Sequence, residues 1–162
     1  MSQQQRVFLI RSNLAIQDPD VPSPRRHTTL FVETENNGAG YVHEVNGDIT
    51  SPQGMKYLPS FQSAPETSET FFSKEFLGFT AFPHLEPWRA LLESVPAPHQ
   101  QKAFNLATMR TEPFKTLVPL TFYELGEERK LLIKCTEWTL DQAIPALKES
   151  GLINESHFES VC

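Results

Sequence analysis

"HTTLFVETENNGAGYVHEVNGDI", residues 27–49, decides how this chain folds. Two runs rich in β-branched and aromatic residues, His27–Thr34 and Gly40–Ile49, flank the polar segment "ENNGAG". Asn37-Gly38 is a favoured turn pair, because both residue types tolerate positive φ. The stretch therefore predicts a β-hairpin. It also puts a histidine on each strand, with His27 opening the first and His43 inside the second. Whether the two rings share a face depends on register, since a one-residue slip moves every side chain to the other side of the sheet. A turn centred on Asn37-Gly38 sets His43 opposite Phe31 or Val32.

Further strands flank the hairpin. Upstream, "QRVFLIRS" (Gln5–Ser12) reads as a first strand,. The proline-rich "QDPDVPSPRR" that follows reads as an extended loop,. Downstream, "GMKYLPS" adds a short strand, "SAPETSE" a polar loop and "TFFSKEFLGFTAF" one or two more strands. "LEPWRALLESV" (Leu85–Val95) predicts a helix, with Pro87 in its first turn and Trp88, Leu91, Leu92 and Val95 at helical spacing,.

Residues 97–116 give no clear pattern. "LVPLTFYELG" and "KLLIKC" then read as two strands joined at "GEER". "TLDQAIPALKESG" (Thr139–Gly151) predicts a second helix, with Thr139 and Gln142 as a capping box and Gly151 just past its end,. Pro145 lacks a backbone donor, so it should kink this helix or shift its start. The expected fold is a single α+β domain over residues 1–162, a mostly antiparallel sheet packed with two or so helices.

Composition narrows the function. The 162 residues are enough for one real core, and twelve phenylalanines and two tryptophans supply large buried area,. Fourteen Lys plus Arg against twenty Asp plus Glu give a net charge of −6, which argues against a nucleic-acid partner,. The one dense basic cluster, Arg25–His27, is too small for a phosphate track. The apolar run Val7–Ile10 is too short for a membrane span or a signal sequence, and the terminal "ESVC" is not a prenylation signal,. Two cysteines, Cys135 and Cys162, cannot build a disulfide framework,. A cytoplasmic, reduced protein without a membrane span is the expectation. Nothing in the sequence fixes an oligomeric state.

The chemistry centres on "IKCTEWTLDQAI" (Ile133–Ile144), where Cys135 stands between an apolar run and a helix. A thiolate is the reactive form of cysteine, and the N–H groups and partial positive charge at a helix start favour it. Lys134 adds positive charge and Glu137 opposes it. The plainer alternative is a small buried hydrophobe. A nucleophilic cysteine also needs a base within reach and a third group to orient that base. His84, His99 and His157 fall in loop or tail contexts, which leaves His27 and His43 as candidates. Glu44, Asn46 and Asp48 are further candidates for the orienting role. His43, Glu44 and Asp48 could also be read as metal ligands, but they match no ligand pattern of known spacing. Neither metal nor cofactor is expected.

A histidine opening a strand, a second polar residue on the return strand and a downstream cysteine at a helix start form a recognisable order. It resembles the circularly permuted branch of the papain-like NlpC/P60 superfamily, which includes lecithin:retinol acyltransferase-like proteins and PPPDE-type thiol peptidases. "KCTEW" is similar to the N-C-E-H-F-like context of that family's cysteine, "HTTLFVE" to its H-x-G-[IV]-x-[IVL] strand and "GYVHEV" to its return strand. Thr29 stands where the family has glycine, and Lys134 where it has asparagine. The resemblance implies a papain-like arrangement, with Cys135 as nucleophile, His27 as base and His43 as orienting residue.

The implied activity is that of a cysteine-dependent hydrolase or acyltransferase, acting on an amide or ester of a small molecule or peptide through a thioester. The chain as a whole is also similar to small fungal proteins that share the "HTxLFVET", "GxGYxxxVxGDI" and "CxEWT" stretches, a likeness that implies no activity. Two other readings stand beside the thiol enzyme. One is a non-catalytic binding module of the same fold. The other is a small biosynthetic enzyme without thiol chemistry, built on "YVHEVNGD".

Overall fold

The computed structural model describes residues 4–155, so His157 and Cys162 lie outside the described residues. The hairpin forms from β2 (Arg26–Glu33) and β3 (Gly40–Gly47), paired antiparallel. Its last pair is Glu33 with Gly40, which centres the turn between Asn36 and Asn37, one residue earlier than the Asn-Gly pair suggests. Of that pair only Gly38 takes positive φ, at 88°. The Asn37 side chain instead accepts the Ala39 N–H at 3.1 Å. His43 consequently faces Leu30, not Phe31 or Val32.

β1 (Gln5–Asn13), β4 (Met55–Gln62) and β5 (Phe71–Thr80) complete a five-stranded sheet in the order β4-β3-β2-β1-β5, antiparallel throughout. Alternation along the strands sorts side chains to two faces. Val7, Leu9, Leu30, Val32 and Val45 join the main core. Phe8, Ile10 and Phe31 form a smaller cluster of their own, backed by Val42 and Phe71. Each large apolar side chain so buried is worth roughly 1.5–3 kcal/mol.

Two helical segments cover the main-core face. In α1 (Leu85–Glu93) residue Glu86 keeps extended angles, so regular winding begins at Pro87, the first-turn position the sequence predicts,. Trp88 and Leu92 are fully buried, and the Trp88 indole N–H donates to Thr80 Oγ1 at 3.2 Å. The second segment runs without interruption through α2 (Cys135–Glu137), a π-helical stretch (Trp138–Ala143) and α3 (Ile144–Glu149).

This segment starts four residues before the predicted cap. Glu137, not Gln142, closes the start by accepting the Lys134 N–H at 2.7 Å, and Thr139 is buried inside the helix. The π turn answers the difficulty of Pro145. Proline has no N–H to donate four residues back, and its ring would meet that carbonyl. Wider winding, with the Ile144 N–H reaching the Thr139 carbonyl, makes room for it,. At the other end Gly151 (φ 83°) closes a Schellman motif. The Leu152 N–H meets the Leu147 carbonyl at 2.9 Å and the Gly151 N–H meets that of Lys148 at 3.1 Å,.

A second, three-stranded sheet consists of β6 (Lys102–Asn105) and β7 (Arg110–Thr116), in the stretch that gave no pattern, and β8 (Thr121–Phe122), inside the expected strand "LVPLTFYELG". "KLLIKC" is not a strand. Its backbone is held instead by the Gln101 carboxamide, which accepts from Ile133 N–H and donates to the Ile133 carbonyl, both at 2.7 Å. The fold is thus mixed α+β with mostly antiparallel sheets. Among the described residues no helix is long and apolar enough to cross a membrane.

Candidate active site

β2 and β3 pair only as far as Leu30 and His43, after which β2 continues against β1 and β3 against β4. The start of α2 packs against both strands at this parting. Thr136 secures it, with its hydroxyl 3.0 Å from Thr28 Oγ1 and 3.5 Å from the Arg26 carbonyl. The parting strands and the helix start thereby bring together His27 from β2, Glu44 from β3 and Cys135 from α2.

His27 Nε2 lies 3.1 Å from Glu44 Oε2. The other Glu44 oxygen accepts from Asn46 Nδ2 at 2.5 Å, which fixes the carboxylate. The hydrogen bond with the Cys135 thiol, then that with Glu44, push the His27 pKa up to about 10. Burial alone would raise the Cys135 pKa. A hydrogen bond from His27, another from the Thr28 backbone and the nearby charge of Arg25 outweigh it and hold the thiol below its ordinary value. Both shifts act in favour of a thiolate beside an imidazolium,. Glu137, which would oppose the thiolate, is occupied by Arg25 Nη2 at 2.5 Å.

The proline-rich loop helps to fix this end of the helix. Lys102 Nζ, almost fully buried, contacts Asp18 at 3.0 Å and Asp20 at 2.6 Å, while Lys134 Nζ reaches Asp18 at 3.2 Å. Burial works against the Asp18 carboxylate, but the Asp20 backbone and both lysines hold its pKa below the usual range. Removing one partner from a buried cluster of this kind typically costs about 3–5 kcal/mol. Neither Asp18 nor Lys102 stood out in the sequence, because each looks like an ordinary surface charge until the fold buries it.

His43 does not join His27. Its pairing with Leu30 turns it to the main-core face, whereas His27 sits with Thr29 and Phe31 on the other. The ring is fully buried, with Nδ1 2.7 Å from the Tyr57 hydroxyl and its face on Trp88 at 4.8 Å between centroids. Burial pushes its pKa down to about 3. The β3 side chain that reaches His27 is therefore Glu44, not His43, to which the resemblance assigns the orienting role. Asp48 accepts the Thr50 N–H at 2.8 Å, so His43, Glu44 and Asp48 point to three different partners rather than to one metal. His99 Nδ1 lies 2.7 Å from the Gln100 carbonyl, and His84 precedes α1.

A cavity of about 430 Å³ opens on the His27 side of the sheet, with His27 and Glu44 in its wall. Its floor is the alternate residues of four neighbouring strands, among them Ile10, Thr29, Val42 and Ser60. Its roof comes from the segment that joins β4 to β5. Those strands are the two edges of the sheet, so their connection has to cross this face. Glu66 in the crossing segment is tied to Lys74 at 2.8 Å.

Comparison with known proteins places the chain in a family. Residues 14–154 match the sequence model of a family of unknown function, DUF6540. The match covers most of the chain, which therefore belongs to that family. No curated protein and no solved structure matches it.

Proposed function

We propose that this member of the family is a cysteine-dependent acyl hydrolase or acyltransferase, with Cys135 as nucleophile, His27 as base and Glu44 as the residue that orients His27. The observation that carries this reading is His27, held 3.1 Å from Glu44 in the wall of a cavity, with the Cys135 thiol near enough for the two to shift each other's pKa. In that arrangement the thiolate attacks an acyl carbonyl and forms a tetrahedral intermediate. Backbone N–H groups at the helix start, that of Cys135 among them, serve as donors to its oxyanion in this reading. His27 gives its proton to the leaving group, which leaves a thioester on Cys135. Water or another nucleophile then loses a proton to His27, attacks the thioester and releases the thiolate.

The order His27, return strand, Cys135 supports a permuted papain-like reading of the fold, with Glu44 in place of His43. The burial of Cys135, 7% exposed and packed in the main core, favours a second reading in which the module binds a ligand and performs no reaction. An acyl ester with a chromogenic leaving group separates the two. The enzyme reading predicts a burst of leaving group equal to the protein present and an acyl mass on Cys135. The binding reading predicts neither.

A further inference from the structure

We infer that the 430 Å³ cavity is the subsite for the group that receives the acyl chain, and that this acceptor is a small uncharged molecule bearing hydroxyl or carboxamide groups. The inference rests on the thiol reading above. It starts from which members of the triad line the cavity. His27 and Glu44 do, and Cys135 does not. A wall containing the base but not the sulfur suits the partner whose proton the base handles, rather than the acyl group bonded to sulfur. In the second half-reaction the acceptor O–H proton passes to His27 as its oxygen bonds to the thioester carbon. The C–S bond then breaks, and the electron pair returns to sulfur. Imidazolium and thiolate are restored as the pair that the His27 and Cys135 shifts favour.

The chemistry of the lining sets the class of acceptor. No lysine or arginine is among the described side chains that line the cavity, and its one acidic side chain is Glu44. The one cation in the described lining is the His27 imidazolium, and at the thioester stage it has already given its proton to the leaving group, so an anionic acceptor would then find no counter-charge and would face the Glu44 carboxylate. Ser12, Thr29, Ser60, Gln62 and Ser68 instead present hydroxyl and amide groups over the apolar patch of Ile10 and Val42. Gln62 Nε2 donates to Ser60 Oγ and Ser68 Oγ pairs with Thr70 Oγ1, each at 3.1 Å, and a wholly apolar acceptor would strip water from the donor and acceptor sites these contacts leave open, a penalty that discriminates against it,. The volume falls within the range of pockets that hold small-molecule ligands,.

The test uses the full chain, p-nitrophenyl acetate as donor and three competing acceptors at equal concentration: N-acetylserinamide, N-acetylserine and propan-1-ol. The first two share a hydroxyl and differ in charge, and the third has a hydroxyl alone. Mass spectrometry reads the ratio of acetyl transferred to acetyl released to water. The expected result is a ratio for N-acetylserinamide at least tenfold above those of the other two, falling toward the propan-1-ol value in Ser60→Leu/Gln62→Leu. A p-nitrophenol burst followed by the same ratio for all three acceptors would overturn the subsite and leave the thiol reading standing. Absence of a burst in the wild-type chain would overturn the thiol reading and the subsite with it.

Discussion

His27 and His43 belong to the two strands of one hairpin, yet the fold drives their protonation in opposite directions. His27 keeps contact with a carboxylate and a thiol, and its pKa is pushed up to about 10. His43 is sealed between Tyr57 and Trp88 with no acidic partner, and its pKa is pushed down to about 3. The same side chain is a cation beside Glu44 and a neutral aromatic in the core. What separates them is one step of strand alternation. Glu44 points to His27's side of the sheet, and His43, its neighbour in sequence, points to the other. The comparison teaches that a histidine's role here is set by the face it occupies and not by its closeness in sequence to the site.

The widest gap between the two should appear in reactivity. His27→Ala should slow acylation of Cys135 by about 10²–10⁴-fold, the usual worth of a general base. His43→Gln, if folded, should leave that rate within a few-fold. A stopped-flow burst assay on both variants checks the pair, and equal losses would erase the distinction.

Stability should show the reverse order. His43→Ala opens a cavity under Trp88 and strips Tyr57 of its partner, for an expected loss of about 2–4 kcal/mol in urea unfolding. His27→Ala, at the partly exposed end of its strand, should cost less. A smaller effect is expected from Glu44→Gln, which keeps an acceptor near His27 but removes the charge. His27 then holds its proton less firmly, and the thiol midpoint should rise by about one pH unit. An unchanged midpoint would remove Glu44 from the triad.

A further effect is expected on acid stability. The folded His43 resists a proton that the unfolded chain accepts near pH 6.5. Between that value and about 3 the unfolded state binds more protons, so stability falls as pH drops through the window,. His43→Phe should flatten that slope relative to wild type in urea titrations at successive pH values. An identical slope would mean that other groups dominate the acid response.

How much of this was legible in the sequence follows from the same register. The hairpin was plain from its β-rich runs and its turn residues. The register is not legible: the Asn37-Gly38 pair leaves Phe31 or Val32 opposite His43, whereas the loop is centred between Asn36 and Asn37 and sets Leu30 there. A turn centred between Asn37 and Gly38 pairs His43 with Val32, on Leu30's face, and only a centre on Asn37 itself pairs it with Phe31, on His27's face, so the turn residues alone leave the face open,. Glu44 was available among the alternatives, but only the register selects it.

The sequence sets Cys135 at a helix start, which it occupies, but misplaces the cap for a local reason. Thr139 and Gln142 fit a capping box, whereas the actual start follows Lys134, a poor cap residue, and is held by Glu137 with help from Arg25,. Arg25 lies far away in sequence, so no local pattern could have found it. β6 and β7 left no signal because they are short and largely exposed, whereas β8 lies within "LVPLTFYELG", which does read as a strand. "KLLIKC" misled in the opposite direction. It is apolar, but Leu131 is exposed, and the backbone of Ile133 is satisfied by a side chain rather than by a ladder.

The central claim is that Cys135 is a thiolate held by His27, and the pH dependence of its alkylation tests this most directly. Iodoacetamide labelling followed by mass spectrometry, in a Cys162→Ser background, gives the rate at Cys135 across the pH range. The account predicts a midpoint below the ordinary thiol value that moves upward in His27→Ala. A midpoint at or above the ordinary value, unmoved by His27→Ala, would contradict it.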